Sequence, residues 1–222
     1  MDKVIIAIDG QASTGKSTQA KKIADHLGFN YRDSGAYYRA ITLYLLNINV
    51  NHDLKISQDI LNQISIKQDY SEGNFRIFLN DDNVTDKIRG HKVSLSVSNY
   101  AKKPEIRKFV FDQLRNSAES NSIVVDGRDI GTVVFPDADF KFFLIAEPRI
   151  RAVRRHKQID DDSVKVDIIE EEIKIRDKTD STREIAPLRK AYDAFKIDVS
   201  DLTIDEVFNK ILQKIKSDLI KN

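Results

Sequence analysis

The chain contains no cysteine, so it can form neither disulfide bonds nor thiolate metal sites. Histidine, the other common ligand of transition metals, is scarce. The four histidines lack the spacing of metal ligands, and we expect them at the surface or at helix caps: His26, His52, His91 and His156. The composition therefore gives no support to a zinc protein or a disulfide-stabilised fold.

The sequence also lacks a long apolar run and a strong net charge. No run approaches the length of a membrane-spanning helix and no signal peptide begins the chain, so we expect a cytoplasmic protein without a membrane partner. A net charge of +1 gives no general attraction to nucleic acid, and any basic site must be local. Repeats and low-complexity linkers are absent as well. We therefore expect a monomer with a single domain over residues 1–222, for which 41% hydrophobic residues supply a core.

Short apolar segments alternate with helical patterns along most of the chain. Buried strands are predicted at residues 4–8, 123–125, 140–145 and 195–199, with a short one near 29–31. Strands that alternate with helices form parallel sheets covered on both faces. The prediction is an α/β fold, a three-layer α/β/α arrangement with a central parallel sheet. Thr203 and Glu206 form a capping box that begins the last helix.

One segment departs from this alternation. Between residues 62 and 90, apolar residues alternate with polar ones, and turn-forming sequences stand at residues 71–74 and 80–83. Two or three short antiparallel strands fit this pattern. We expect a small β subdomain inserted into the α/β core over about residues 62–90.

Residues 10–17 read GQASTGKS, the pattern GxxxxGK followed by Ser or Thr, which we call the phosphate loop. A buried strand precedes it and a helical pattern follows it, the context in which loop N–H groups surround a phosphate. Lys16 is expected to reach the β- and γ-phosphates of a nucleotide, and Ser17 to bind Mg²⁺. The predicted nucleotide contacts are Gly10, Gln11, Ala12, Ser13, Thr14, Gly15, Lys16, Ser17 and Thr18.

Two more polar clusters follow predicted strands, where ligands of parallel sheets bind. Residues 33–39 read DSGAYYR, and residues 126–129 read DGRD. The arginines suit phosphate oxygens, and either Asp33 or Asp126 could orient the metal water or the acceptor phosphate. The alternatives are a helix N-cap at Asp33 and a surface ion pair of Arg128 with Asp129.

Basic residues recur late in the chain. Arg151, Arg154 and Arg155 share a predicted helix that opens near Pro148. Arg176, Asp180 and Arg183 have the spacing i, i+4, i+7 of one helix face. These elements are either solvated helices with local salt bridges or a lid, at about residues 149–183, that brings arginines onto transferring phosphates. The acidic run at residues 160–162 should then point to solvent.

The sequence has no nucleophile–base arrangement, no dinucleotide-binding GxGxxG and no guanine-binding NKxD. Phosphoryl transfer needs positioning and charge compensation more than covalent chemistry from the protein. A loop lysine, Mg²⁺ and several arginines therefore indicate a phosphoryl-transfer enzyme. The residues expected to neutralise charge on the transferring group are Lys16, Arg128, Arg183 and Arg154.

Four segments resemble the bacterial cytidylate kinases, a family of nucleoside monophosphate kinases, and the likeness extends over nearly the full length. They are residues 8–17, 33–39, 125–138 (VDGRDIGTVVFPDA) and 183–188 (REIAPL). The stretch DGRDIGTVVFPDA is highly specific to that family, and the inserted β segment also fits it. Gln11 stands where the family usually has proline and Tyr37 where it often has methionine. Neither departure removes an expected phosphate ligand.

The resemblance implies transfer of the ATP γ-phosphoryl group to CMP or dCMP, with Mg²⁺. It implies that Arg39, Arg128 and Arg183 hold the acceptor phosphate, and that Asp180 with Arg176 holds the ribose. The implied acceptor contacts in full are Ser34, Arg39, Ser98, Arg107, Asp126, Arg128, Asp129, Arg176, Asp180 and Arg183. Ser98, Arg107 and Asp129 would recognise the base. The alternatives are a kinase for another acceptor, such as UMP, dTMP or shikimate, and a nucleotide-dependent switch or binding module.

Overall fold

The computed structural model describes residues 3–158 and 164–219. The strands are β1 Ile5–Gly10, β2 Asn30–Asp33, β3 Ile66–Ser71, β4 Asn74–Leu79, β5 Asp82–Asn83, β6 Ile123–Gly127, β7 Phe140–Ile145 and β8 Phe195–Asp198. The helices are α1 Lys16–Leu27, α2 Ser34–Asn47, α3 Gln58–Asn62, α4 His91–Ala101, α5 Pro104–Ala118, α6 Pro148–His156, α7 Val166–Thr182 and α8 Ile204–Leu219. A 3₁₀ turn at Lys87–Arg89 and a π-helical turn at Ile130–Val134 complete the elements.

The five predicted strands form one parallel sheet in the order β2-β6-β1-β7-β8. Alternate residues of the central strands enter different clusters: Ala7 and Val125 pack with α2 and α5, whereas Ile6 and Val124 pack with α1 and α8. Each face of the sheet therefore buries its own apolar core under helices. The predicted three-layer α/β/α fold is confirmed.

A separate antiparallel sheet of β3, β4 and β5 confirms the predicted small β segment. Both predicted turns are present, and Gly73 and Asn80 in them adopt positive φ. Ile66 and Ile77 of this sheet are buried in the same cluster as α2 and α5. The sheet thus shares a core with the main fold, and its limits at residues 62 and 90 stay a prediction.

The capping box predicted at Thr203 is present. The backbone N–H of Thr203 donates to the Glu206 carboxylate at 2.8 Å, and the N–H of Glu206 donates to the Thr203 hydroxyl at 3.2 Å. Val207 and Ile211 of α8 are buried, whereas Ile204 in its first turn is 56% exposed. In the described part of the chain, no helix is long and apolar enough to cross a bilayer.

Candidate active site

The phosphate loop connects β1 to α1 in a conformation that its glycines permit. Gly10 has a φ of 150°, and a Cβ there would lie 2.1 Å from the carbonyl oxygen of Leu144 on β7. Gly15 has a φ of 83° and begins α1. A side chain at Gly10 would push the loop off the sheet, so the close approach of β1 and β7 depends on glycine.

Lys16 lies within the loop that carries it. Its Nζ donates to the carbonyl of Gln11 at 2.6 Å, and Thr14 donates its hydroxyl to the same carbonyl at 3.0 Å. Burial lowers the pKa of Lys16 well below its usual value, and the charges of Arg128 and Arg176 act in the same direction. A lysine in this position gains from a nearby anion, because the anion favours its charged form.

Ser17 and Asp126 meet at the start of α1 and the end of β6. The Ser17 hydroxyl donates to Asp126 Oδ2 at 2.9 Å, and the Tyr31 hydroxyl donates to Oδ1 at 2.7 Å. Burial raises the pKa of Asp126 to about 6, and the charge of Asp33 adds to the effect. Asp33 itself accepts from the N–H of Ala36 at 3.0 Å, which makes it the N-cap of α2. Of the two aspartates left open by the sequence, Asp126 is therefore the one in contact with the expected metal ligand.

The Ser17–Asp126 pair has the donor chemistry of a Mg²⁺ site. A hydroxyl and a carboxylate are hard oxygen ligands, and Mg²⁺ takes its other ligands from water and substrate phosphates. No group of three or more acidic or histidine side chains that could hold a metal occurs among the residues the structure describes. The residues present fit a phosphate-bound ion and not an all-protein metal cage.

Arginines from four different segments gather beside the phosphate loop. The pKa of Arg176 is lowered to about 10 by burial and by the charges of Arg128, Arg39 and Arg155. Burial and the neighbouring Arg155 and Arg128 also lower the pKa of Arg39. Within the described residues, Arg176 Nε is buried without a hydrogen-bond partner. Three of these arginines, Arg39, Arg128 and Arg176, are half-buried. Cations that repel each other in this way would gain from a bound polyanion.

Asp180 is the carboxylate among these arginines. Arg128 Nε donates to Asp180 Oδ2 at 2.9 Å, and Arg183 Nη1 lies 3.6 Å from Oδ1. Burial raises the pKa of Asp180, but Arg128, Arg176 and Arg183 outweigh it and hold the pKa below its usual value. Asp180 is thus an ionised acceptor aimed among the cations.

The helix-face prediction was right for Arg176 and Asp180 but wrong for Arg183. Helix α7 ends at Thr182, and Arg183 has extended backbone with φ −62° and ψ 144°. The N–H of Leu188 donates to the carbonyl of Asp180 at 2.8 Å and so terminates the helix. Arg183 still reaches the site, because its Nη2 lies 3.3 Å from Asp129.

Arg107 and Asp129 form a buried ion pair with an N–O distance of 2.5 Å. The Arg107 guanidinium group lies 5.3 Å from the ring centroid of Tyr38 and 5.2 Å from that of Phe111. Arg107 Nε and the Tyr38 hydroxyl are both buried without a hydrogen-bond partner among the described residues. Unpaired buried donors are costly, so this pair and its neighbours are suited to a ligand with polar edges.

Three further predicted contacts lie around these groups. Ser34 donates its hydroxyl to the carbonyl of Asp126 at 2.8 Å, which fixes the start of α2 against β6. Arg39 donates to Ser94 on α4 at 3.0 Å. Ser98 is half-buried on the same helix, one turn before its end at Ala101, whose carbonyl accepts from Arg107. Helix α4 thus lies on the acceptor side of the site.

Arg154 is the predicted site residue that the structure does not bring to the phosphate loop. Its Nη2 donates to the carbonyls of Val199 and Ser200, at 2.7 and 3.1 Å, beyond the end of β8. The neighbouring Arg155 is the arginine of α6 whose charge acts on Arg39 and Arg176. A catalytic role for Arg154 stays a prediction. The acidic run at residues 160–162, which was expected to point to solvent, lies outside the described residues.

Asp9 was not among the predicted site residues, yet it joins the two halves of the site. Its Oδ1 and Oδ2 accept from the N–H groups of Ile130 and Gly131, at 2.9 and 2.8 Å. Asp9 immediately precedes the phosphate loop, and Ile130 immediately follows Arg128 and Asp129. Two sequence signals could have identified it: its place beside the end of a buried strand and its place in residues 8–17, a segment that carries the family resemblance.

Comparison with known proteins relates this site to one family. The family model for cytidylate kinase matches residues 6–217. A cytidylate kinase of Thermosipho melanesiensis is 45% identical over 213 residues, covering 95% of this chain and 96% of its own. That of Clostridioides difficile is 42% identical over 219 residues, covering 97% and 99%.

The chain belongs to the cytidylate kinase family. The resemblance inferred from the sequence is thereby confirmed, as is its assignment as a kinase. A solved gluconokinase from Sinorhizobium meliloti shares the fold, with a TM-score of 0.51 and 12% identity over 98% of this chain and 95% of its own. The match to the cytidylate kinase family model covers nearly the whole chain.

Asp9→Asn should change how the stability of this kinase depends on pH. Burial raises the pKa of Asp9 to about 7 in the folded chain, from an ordinary value of 3.8. The unfolded chain therefore loses this proton first, and ionisation disfavours the fold progressively as pH rises towards about 7. The difference in free energy of unfolding, wild type minus variant, should fall from about pH 5 to about pH 7 and then level off.

Urea unfolding of both proteins at each pH measures this difference, and groups common to both cancel. Asp112→Asn is the matched control, because Asp112 is paired with Lys108 on the exposed face of α5. The control should show no such trend. A difference for Asp9→Asn that stays constant or grows with pH would contradict the raised pKa.

Proposed function

We propose that this chain transfers the γ-phosphoryl group of ATP to CMP or dCMP, giving ADP and the diphosphate. The observation that carries the proposal is the cluster of half-buried arginines beside the phosphate loop, next to the buried Arg107–Asp129 pair. A phosphate loop alone suits a nucleotide-dependent switch equally well. Half-buried cations on the acceptor side suit a second phosphorylated substrate, and no observation favours a switch or binding module.

On the donor side, the N–H groups of the phosphate loop and Lys16 would bind the β- and γ-phosphates. Ser17, held by Asp126, would be the protein ligand of Mg²⁺. Bound there, Mg²⁺ would neutralise part of the charge on the donor phosphates. The lid over residues 149–183 is proposed on the same ground, since α6 and α7 carry Arg155 and Arg176 into the site.

On the acceptor side, Arg39, Arg128 and Arg183 would hold the monophosphate so that one of its oxygens attacks the γ-phosphorus in line. The acceptor is already an anion, so the protein must above all place it beside a second polyanion. Lys16 and these three arginines would offset this repulsion near the transferring group. Asp180, with Arg176 beside it, would accept from the ribose hydroxyls.

The base would lie at Ser98, Arg107 and Asp129. Cytosine has an amino group where uracil has a carbonyl, with acceptors at N3 and O2. An ionised Asp129 can accept from the amino group but repels a carbonyl, and Arg107 can donate to the acceptors. This arrangement favours CMP and dCMP over UMP. A monomeric state and a cytoplasmic location stay predictions.

Lys16→Ala should lower turnover by about 10²–10³-fold while the fold is retained. The lysine lies among its own loop atoms and packs no apolar core, so its loss removes charge compensation only. ADP release with ATP and CMP measures the effect, and the same assay without a monophosphate distinguishes a kinase from a switch. Lys22→Ala, on the exposed side of α1, is the control and should keep its rate. Near-normal activity of the Lys16 variant would contradict the proposed ATP site.

Asp129→Asn should reduce the preference for CMP over UMP. The amide can donate to the uracil carbonyl, whereas the carboxylate cannot. The measurement is kcat/KM for both monophosphates. Asp180→Asn is the control, because it makes the same charge change among the same arginines but at the proposed ribose contact. CMP and UMP have the same ribose, so this variant should lower kcat/KM for both by the same factor. If Asp129→Asn also lowered both by the same factor, Asp129 would be an ion-pair partner of Arg107 and no determinant of base choice.

A further inference from the structure

One residue of the phosphate loop, Ala12, is held through both its backbone N–H and its carbonyl by charged groups of α6 and α7. The carbonyl of Ala12 accepts from Arg151 Nη1 at 3.2 Å, and the N–H of Ala12 points to Asp177 Oδ1 at 3.4 Å. Arg151 and Asp177 are themselves paired at 2.6 Å. The three residues therefore form a closed set of contacts, which we call the Ala12 clasp.

The clasp is buried, so it cannot be exchanged for water without cost. The side chain of Arg151 is 1% exposed and that of Asp177 is 14% exposed. Arg151 Nε also donates to the carbonyl of Ala146, just beyond β7, at 2.8 Å. A buried guanidinium group whose carboxylate is removed is left uncompensated, which is strongly unfavourable. The pair thus fixes α7 at one distance from the loop.

Helices α6 and α7 are joined at a second place, farther from the loop. Ala152 of α6 is buried with Ile169 and Ile173 of α7. Arg149 pairs with Asp167 and Glu170 at the exposed end of the two helices. The helices therefore form one packed unit, and the Ala12 clasp is where this unit meets the loop.

The same helix carries the acceptor contacts. Asp177 follows Arg176 directly and precedes Asp180 by three positions, and Asp180 binds Arg128 at 2.9 Å. The charge of Asp177 also helps to raise the pKa of Arg128. A shift of the loop on binding phosphate would pass through Ala12 to Asp177, and from there along one helical turn to the proposed ribose and phosphate contacts.

We propose that Asp177 is a positioning residue that couples nucleotide binding at the phosphate loop to acceptor binding at Arg176 and Asp180. The proposal rests on the function proposed above. Asp177 is suited to this because its two oxygens serve two different partners, the Ala12 N–H and Arg151. An asparagine has the same shape but only one accepting oxygen. Its NH₂ group would face either the Ala12 N–H or Arg151, and both of these are donors.

Calorimetric binding of CMP to the full-length protein, with and without a saturating non-hydrolysable ATP analogue and Mg²⁺, tests this coupling. In the wild type the analogue should tighten CMP binding by about 5- to 150-fold, the usual range for coupled sites. In Asp177→Asn this enhancement should fall towards one, while the affinity for CMP alone is kept. The KM for CMP at saturating ATP should rise accordingly. A merely structural role would weaken CMP binding equally with and without the analogue.

Asp167→Asn is the matched control. It removes a carboxylate from the same helix, but from the exposed pair with Arg149, so the enhancement should be unchanged. Should Asp177→Asn fail to fold, Arg151→Lys decides the matter. It keeps the charge of Arg151 but loses the fork that reaches Ala12, Ala146 and Asp177, and it should lower the enhancement in the same way.

The proposal is overturned if the analogue leaves wild-type CMP binding unchanged, or if the folded clasp variant keeps the full enhancement. Either result in a wild type that phosphorylates CMP leaves the proposed function standing. A wild type that releases no ADP with CMP would instead contradict the function itself.

Discussion

The candidate active site is organised around positive charge that is buried or half-buried. Lys16, Arg39, Arg128 and Arg176 all have much of their charge removed from water, and the pKa of all but Arg128 is lowered by burial and by one another. Removing a cation from water is costly unless an anion compensates it. Asp126, Asp129 and Asp180 supply only part of the compensation. Two phosphorylated substrates would supply the rest, so the site is assembled for ligands that repel each other.

The topology of the sheet determines which groups share that compensation. β1 lies between β6 and β7. The phosphate loop that follows β1 therefore has Asp126 of β6 on one side and Leu144 of β7 on the other. Asp9 fastens the loop to the segment that carries Arg128 and Asp129 through two backbone N–H groups. The Ala12 clasp fastens it to α7. Donor and acceptor residues are therefore linked through the backbone of the phosphate loop, although they are far apart in the sequence.

The sequence was informative where a pattern is local. Short apolar segments predicted four strands of the parallel sheet, and a short fifth strand near residues 29–31 was expected to complete it. Alternating apolar residues and the turn sequences at residues 71–74 and 80–83 predicted the small sheet. The capping box at Thr203 was present as predicted, because it depends on residues three apart. Arg183 shows the limit of such patterns. Its i+7 spacing from Arg176 assumed an uninterrupted helix, whereas a long-range bond from Leu188 ends the helix just before it.

The choice between Arg154 and Arg155 could not be made from the sequence at all. Neighbouring residues on a helix point about 100° apart. Arg154 donates to the carbonyls beyond β8, whereas the charge of Arg155 acts on Arg39 and Arg176. How α6 is turned depends on its packing against α7, through Ala152, Ile169 and Ile173. Asp9 and Asp177 were missed for a related reason. Both accept hydrogen bonds from backbone N–H groups that are distant in the sequence, those of Ile130 and Gly131 for Asp9 and that of Ala12 for Asp177. Motifs identify residues that face a ligand, whereas the residues that hold those motifs in place are visible only once the backbone is known.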